Sequence, residues 1–212
     1  YAEQRIYDIR NGHNNDCPIP VSRVVLETFD HLQRLSGENR ADYLGISTGY
    51  GDLDRTITGL NKSDLILVAA RPGMGKTAFA LNIAANVALR GKKTVAIFSL
   101  EMSREQLMNR LFASEGSIDS RRLLTGELST EDWGKVADRS LLFGAAPLYM
   151  DDTAGITVAE MKAKLRRVRN LGLVVIDYLQ LMSTGRRSDN RVQEVSEITR
   201  SLKIMAKELN VP

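Results

Sequence analysis

A glycine-rich stretch at residues 69–77, AARPGMGKT, contains the residue types that hold phosphate groups. Gly73 and Gly75 allow the backbone curvature that turns successive N–H groups inward, which makes a nest for phosphate oxygens. Lys76 can reach the β- and γ-phosphates of a nucleotide, and the Thr77 hydroxyl can ligate Mg²⁺. A helix beginning at this point adds its partial positive charge. The stretch therefore predicts a nucleotide-binding loop.

One position departs from the usual G-x-x-x-x-G-K-[ST] pattern, because Ala70 stands where the first glycine is expected. A small residue there can still end a strand. The apolar run before the loop and the helical pattern after it supply the context that the motif needs, which favours a true site over a chance glycine-rich loop. The predicted cofactor-binding residues of the loop are Arg71, Pro72, Gly73, Met74, Gly75, Lys76, Thr77 and Ala78.

Two carboxylates follow other apolar runs and can complete a site for nucleotide hydrolysis. Asp177 ends the run LVVID and can hold Mg²⁺ through water, although an aspartate there can also be a plain turn residue. Glu101 follows a second run and can deprotonate the water that attacks the γ-phosphate; a helix-capping role is the alternative. Arg110 can lean towards the nucleotide or lie in solvent. We predict Lys76 and Glu101 as catalytic residues, and Thr77 and Asp177 as metal ligands.

The loop STGRRSDNR, residues 183–191, is polar and carries three arginines against one aspartate. Such a loop can follow a phosphodiester backbone without reading bases. It contains no aromatic residue, so base stacking is not indicated. We predict DNA contacts from Arg186, Arg187 and Arg191; a solvated surface loop is the alternative.

The elements that must position these residues alternate along the chain. Apolar runs predict buried strands at 64–70, 94–100, 148–152 and 171–177. Helical patterns are predicted at 77–90, 103–114, 130–142, 157–170 and 192–209. Strand–helix alternation of this kind predicts an α/β fold with a mainly parallel sheet flanked by crossover helices.

The first 45 residues lack this alternation. Residues 1–11 predict a short amphipathic helix, and a second helical pattern begins at Ser22 after a proline-broken stretch. A lone helix of eleven residues cannot bury its apolar side by itself, so it is either the remnant of an upstream domain or a docking helix for a neighbouring subunit. We divide the chain into a docking helix at 1–12, a linker with a helix at 13–45, and a C-terminally incomplete ATPase domain at 46–212.

The bulk composition restricts the class of protein without identifying a function. The 212 residues carry a formal charge of +3, and 43% are apolar, as in ordinary soluble globular proteins. The single cysteine, Cys17, cannot form an internal disulfide, so a reducing compartment is expected. No apolar run approaches the roughly 18 residues of a membrane span. We expect a cytoplasmic protein.

Five ordered blocks resemble the RecA-type motor domain of bacterial DnaB helicases. The blocks are ISTGYGDLDRTITGL (46–60), SDLILVAARPGMGKTAFALNIA (63–84), AIFSLEMS (96–103), LVVIDYLQLM (173–182) and RVQEVSEITRSLK (191–203). The resemblance runs from Ile46 to Pro212, and the preceding helices resemble that family's linker region. Five blocks in order are far more specific than a nucleotide-binding loop alone.

The resemblance implies a RecA-like P-loop fold in a homo-hexameric ring. Such a ring would use ATP or another NTP with Mg²⁺ to move along single-stranded DNA and unwind a replication fork. The helix at 1–11 would dock on an adjacent subunit, and the loop at 183–191 would face the central channel. The implied partners are single-stranded DNA, primase and a helicase loader.

The resemblance also implies roles for individual residues. Lys76 would be the P-loop lysine, Thr77 the magnesium ligand, Glu101 the catalytic glutamate and Asp177 the Walker B aspartate. The family's γ-phosphate-sensing glutamine, its basic finger and its primase-binding domain do not lie within residues 1–212. Since a finger from a neighbouring subunit can raise turnover by about 10³–10⁵-fold, we expect this chain to bind nucleotide, hydrolyse it poorly and not unwind DNA.

Other classes of P-loop protein are the competing interpretations. A recombinase or a phage-type primase-helicase would share the RecA-like core, but the blocks SLEMS and EVSEITRSLK favour the replicative branch. A small-molecule kinase would need an acceptor pocket that the sequence does not show. A non-catalytic nucleotide-dependent scaffold would bind nucleotide without turnover, so Glu101→Gln would change nothing in it.

Overall fold

The computed structural model describes residues 18–37, 44–182 and 191–212. These residues belong to two units, the second of which begins at Gly45. The helix predicted at 1–11 lies outside the described residues.

The N-terminal unit contains helix α1 (Val21–Ser36), which agrees with the second predicted helix. Its apolar residues recur at three- and four-residue spacing, so they share one side of the helix. None of them is buried, and Phe29 and Leu32 are both exposed. The pattern therefore forms an amphipathic helix whose apolar side faces solvent in the described part of the chain.

The second unit is built around parallel strands β1 (Thr94–Ser99), β2 (Leu148–Asp151) and β3 (Leu171–Asp177). The described residues form one sheet in the order β2-β1-β3, and both pairings are parallel. The register places Ser99 opposite Asp177. The parallel sheet is therefore confirmed, and the carboxyl ends of its strands lie at one edge.

Two apolar cores cover the faces of β1. Val95 and Ile97 belong to one core, while Ala96 and Phe98 belong to the other, because successive side chains of a strand point to opposite faces. All six residues of β1 are buried. A strand buried on both faces requires a continuous apolar run rather than an alternating one, as predicted for this segment.

Helices connect and flank the strands of the second unit. Their bounds are α2 (Gly51–Ile57), α3 (Lys76–Ala85), α4 (Arg104–Gly116), α5 (Ser120–Thr125), α6 (Thr130–Gly144), α7 (Val158–Leu165) and α8 (Arg191–Leu209). Capping boxes fix the starts of α4, α6 and α7, at Ser103, Ser129 and Thr157. No helix among the described residues is long and apolar enough to cross a membrane.

Several helix boundaries differ from the sequence-based expectations. The helix predicted at 77–90 is α-helical only to Ala85 and continues as a π-helical turn at Asn86–Arg90. The helix predicted at 157–170 ends at Leu165, and Asn170 has a left-handed φ of 53° just before β3. Helices α2 and α5 were not predicted, because elements of seven and six residues are too short to show a repeat.

The run at 64–70 is the largest departure, since the prediction of a strand covered on both faces is wrong. No strand is assigned there, and Leu67 is 61% exposed. A cavity of about 390 Å³ lies between this run, β3 and α8. On the side of β3 facing the run, the N–H of Val174 donates to the carbonyl of Pro212 at 3.0 Å. Among the described residues, no strand pairs with the run.

Candidate nucleotide-binding site

The glycine-rich loop connects the run at 64–70 to α3. Gly73 and Gly75 have left-handed φ values of 79° and 84°, which side chains other than glycine rarely adopt. The N–H of Met74 donates to the carbonyl of Arg71 at 3.2 Å, and α3 begins directly after Gly75. The loop therefore has the curvature that the sequence predicted, and it ends at a helix N-terminus where anions are stabilised.

Residues 100 positions apart meet where this loop enters α3. The Thr77 hydroxyl donates to Asp177 Oδ2 at 2.7 Å, and Lys76 Nζ lies 3.7 Å from Asp177 Oδ1. Asp177 is only 6% exposed and ends β3. The structure thus brings together the predicted P-loop lysine and both predicted metal ligands.

Tyr178 contributes to the site in a way that the sequence analysis missed. Lys76 Nζ lies 4.3 Å from the centroid of the Tyr178 ring, within the range of a cation–π contact. The lysine is thus held between a buried carboxylate and an aromatic face. The position of Tyr178 directly after the predicted metal-binding aspartate was the signal available in the sequence.

Glu101 lies in the turn that connects β1 to α4. Its side chain is exposed, and it makes no hydrogen bond or ion pair with another described residue. The alternative of a helix-capping role is wrong, because Ser103 caps α4 and forms a capping box with Gln106. The carboxylate is therefore available to a reacting group.

The turn that carries Glu101 is tied to β3. The N–H of Leu100 donates to the carbonyl of Asp177 at 2.8 Å, and the Ser99 hydroxyl donates to the Met102 carbonyl at 2.7 Å. Glu101 and Asp177 therefore share one edge of the sheet. The contact between Ser99 and Met102 was not predicted. Its signal in the sequence was a serine directly before the turn that carries Glu101.

Arg110 is not brought to the site by any contact among the described residues. It lies on α4, where its side chain is exposed and forms no ion pair with another described residue. Its predicted role towards the nucleotide stays a prediction.

Comparison with known families decides which class of protein has this geometry. The family described as DnaB-like helicase C terminal domain matches residues 45–212. The chain belongs to this family. The resemblance drawn from the five sequence blocks is therefore confirmed.

Relatives of this DnaB-like domain are replicative helicases. The chain is 47% identical to the replicative DNA helicase DnaC of Bacillus subtilis over 215 residues, covering 100% of the chain and 47% of that protein. It is 46% identical to the replicative DNA helicase DnaB of Geobacillus stearothermophilus, with the same coverage. The chain therefore spans about half the length of these relatives.

Solved structures give the same result for the fold. A structure described as an ATPase domain superposes with a TM-score of 0.83 at 31% identity, over 92% of this chain and 69% of that one. A DnaB-like replicative helicase, studied with its interactions with primase, gives a TM-score of 0.79 at 30% identity. That match covers 99% of this chain and 51% of the other. The RecA-like fold class is thus confirmed.

In this DnaB-like domain, the block at 46–60 supports the helix that follows the nucleotide-binding loop. Tyr50 contacts the Phe79 ring of α3 with ring centroids 5.4 Å apart, and the Asn86 amide donates to the Thr48 carbonyl at 3.0 Å. The block is closed by an antiparallel bridge between Ile46 and Leu60. It therefore packs on the N- and C-terminal parts of the same helical segment.

Asp54 holds the first turn of this block together. It accepts hydrogen bonds from the Ser47 hydroxyl at 2.6 Å, the Thr48 N–H at 2.8 Å and the Thr48 hydroxyl at 2.7 Å. Burial raises the pKa of Asp54, but these hydrogen bonds outweigh burial and hold the pKa below its usual value. The carboxylate therefore stabilises the block in its ionised form.

The donor atoms at this site suit a magnesium nucleotide. Mg²⁺ prefers oxygen ligands and is usually held by one or two protein oxygens together with substrate phosphates. The Thr77 hydroxyl and the Asp177 carboxylate supply adjacent oxygens beside the phosphate-binding loop. Both residues therefore fit the predicted metal-binding role.

Most of the predicted DNA-binding loop lies outside the described residues. Arg186 and Arg187 lie outside the described residues, and for Arg191 the structure describes only the backbone, as the first residue of α8. Their contact with DNA stays a prediction.

Proposed function

We propose that this chain is the ATPase motor of a ring-forming replicative DNA helicase. In this function, Mg²⁺-dependent NTP hydrolysis drives movement along single-stranded DNA and unwinding at the replication fork. The observation that carries the proposal is the 2.7 Å contact between Thr77 and Asp177, because it joins the phosphate-binding loop to the end of β3. Membership in the DnaB-like family supports it.

Each site residue has a chemical role in hydrolysis. Lys76 turns from Asp177 towards the β- and γ-phosphates, which its long contact of 3.7 Å permits. Thr77 and Asp177 would hold Mg²⁺, which would neutralise charge on the phosphates. The Glu101 carboxylate accepts a proton from water as the water oxygen bonds to the γ-phosphorus. The bond from that phosphorus to the bridging oxygen breaks, leaving the nucleoside diphosphate and inorganic phosphate.

The proposed function also includes the assembly of this chain into a ring and its binding to DNA and other proteins. We infer a homo-hexamer in which the segment at 1–12 docks on a neighbouring subunit, the segment at 13–45 links it to the motor, and the motor occupies 46–212. The arginines of the loop at 183–191 contact the phosphates of single-stranded DNA. We propose primase and a helicase loader as protein partners. The solved structure of a DnaB-like helicase, studied with its interactions with primase, supports primase as a partner.

The decisive experiment compares nucleotide binding and ATP turnover, with and without single-stranded DNA, in three variants and the parent chain. Lys76→Ala should weaken nucleotide binding at least tenfold, because a charge-assisted contact to phosphate is worth about 1.5–3 kcal/mol. Glu101→Gln should retain binding and lose turnover. Glu105→Gln, the same change four residues away in the first turn of α4, is the matched control and should behave like the parent.

The outcomes separate the competing functions. Turnover that survives Glu101→Gln would exclude Glu101 as the base. Nucleotide binding without any turnover, even in a single-turnover assay, would favour a nucleotide-dependent scaffold. Light scattering on the same samples reports whether the active species is a ring. Strong stimulation by DNA would show that this chain is more active alone than we expect.

A further inference from the structure

The turn between β1 and α4 is closed by a buried serine hydroxyl. Ser99 is the last residue of β1 and is 1% exposed. Its Oγ donates to the carbonyl of Met102 at 2.7 Å and accepts from the N–H of the same residue at 3.2 Å. One hydroxyl therefore satisfies both backbone groups of Met102 and encloses Leu100 and Glu101 between its two ends.

A backbone contact fixes the same turn to the neighbouring strand. Ser99 is in register with Asp177, and the N–H of Leu100 donates to the Asp177 carbonyl at 2.8 Å. The turn is thus anchored at its start by β3 and at its end by the Ser99 side chain. Beyond it, the Ser103 capping box begins α4 independently of the turn.

The position of Glu101 depends on these anchors, because its own side chain forms no hydrogen bond or ion pair with another described residue. A catalytic base must lie within hydrogen-bond reach of the attacking water, and a displacement of about 1 Å can cost about 10²-fold in rate. We propose that Ser99 is a positioning residue for Glu101, holding the turn so that the carboxylate faces the γ-phosphate. This inference rests on the proposed function, since it requires Glu101 to act in hydrolysis.

The experiment uses substitutions that separate the hydroxyl from the size of the side chain. Ser99→Thr keeps a hydroxyl and adds a methyl group. Ser99→Val has the shape of threonine but no hydroxyl, so any strain caused by the larger side chain is common to both variants. Ser99→Ala removes the hydroxyl without adding volume. Thr94→Val, at the opposite end of the same buried strand, is the matched control for loss of a hydroxyl.

Single-turnover ATP hydrolysis, nucleotide affinity and amide hydrogen exchange are measured for each variant of this chain. Ser99→Ala and Ser99→Val should lower the hydrolysis rate about tenfold or more, while nucleotide affinity stays within about twofold of the parent. The Met102 amide should exchange faster in both, because its acceptor is gone. Ser99→Thr should recover most of the rate, and Thr94→Val should hydrolyse like the parent.

The possible results distinguish this inference from the proposed function. Equal hydrolysis rates for Ser99→Thr and Ser99→Val would overturn the positioning role while leaving Glu101 as the base if Glu101→Gln is inactive. Loss of affinity in parallel with rate would also overturn it, because the hydroxyl would then support the fold of the whole site. If Glu101→Gln hydrolyses ATP like the parent, Glu101 is excluded as the base and this inference fails, whereas the proposed function fails only if the parent chain neither binds nor hydrolyses nucleotide.

Discussion

The two apolar runs that lead towards the nucleotide site differ in how they are held. β1 pairs with a strand on each side, and all six of its residues are buried. The run at 64–70 leads directly into the glycine-rich loop, yet it forms no strand and Leu67 is largely exposed. Both runs are apolar in sequence, so the difference arises from their neighbours: burial of a strand requires partners along its edges as well as an apolar composition.

The candidate nucleotide site has two halves, one built on β1 and β3 and one built on the glycine-rich loop, and they are held with different rigidity. The half built on β1 and β3 fixes Asp177 and the turn carrying Glu101 through ladder hydrogen bonds and two packed cores. The loop half is held instead by α3, by the block at 46–60 and by the contact of Thr77 with Asp177. Regions with exposed backbone and few buried contacts open more easily, so the loop half is the more adaptable one.

The largest expected effect is on stability and tests this contrast directly. Ile97→Ala removes a side chain that is 1% exposed between packed elements and should lower the free energy of unfolding by about 2–5 kcal/mol. Leu67→Ala should change it by no more than about 0.5 kcal/mol, because Leu67 is largely exposed. Urea unfolding followed by circular dichroism measures both. A comparable loss for Leu67→Ala would show that the run at 64–70 is buried in solution.

A smaller effect is expected from the block that supports the loop half. Asp54→Asn should lower the free energy of unfolding by on the order of 1–2 kcal/mol near neutral pH, since it replaces the charged acceptor of several hydrogen bonds. Asp52→Asn, on the same helix and paired with Arg55 on the surface, is the control and should have little effect. Urea unfolding at several pH values checks both variants.

The pH dependence of the Asp54 effect has a defined sign. Its pKa is lower in the folded chain than in the unfolded chain, so the unfolded state binds more protons on acidification. The stabilisation is complete above the unfolded pKa of about 3.9 and is lost as the pH falls through the folded value. The difference between the parent and Asp54→Asn should therefore shrink in acid. A difference that is constant down to low pH would show that the charge of Asp54 is not what stabilises the block.

The sequence predicted the paired strands of this molecule better than it predicted the run at 64–70 or the side-chain contacts. The bounds of β3 were predicted to the residue, because Asn170 precedes its apolar run and Asp177 ends it. The prediction held because this run is paired with β1. The meeting of Thr77 with Asp177 was predictable, because Asp177 ends one apolar run and Thr77 follows the glycine-rich loop that another apolar run leads into. Pattern alone could not show that no strand among the described residues pairs with the run at 64–70. Nor could it show the contacts of Tyr178 and Ser99, because side-chain direction depends on packing between distant segments.

The smallest expected effect concerns Lys76, which lies where the two halves meet. Its ammonium group contacts the Tyr178 ring, and a contact of this kind contributes about 0.5–1 kcal/mol at an exposed site. In the proposed function, Lys76 leaves the ring to reach phosphate, so the contact is expected to stabilise only the state without nucleotide. Tyr178→Leu should therefore raise nucleotide affinity by about two- to fivefold, measured by titration with a fluorescent ATP analogue.

Tyr178→Phe provides the control for this last prediction, because it keeps the aromatic face and removes only the phenolic hydroxyl. Its nucleotide affinity should stay close to that of the parent. A fall in affinity for Tyr178→Leu would contradict the prediction and show that the ring also supports the lysine when nucleotide is bound. Lys76 would then be held from the β3 side throughout the cycle, and the adaptability assigned to the loop half would be confined to the residues before Gly75.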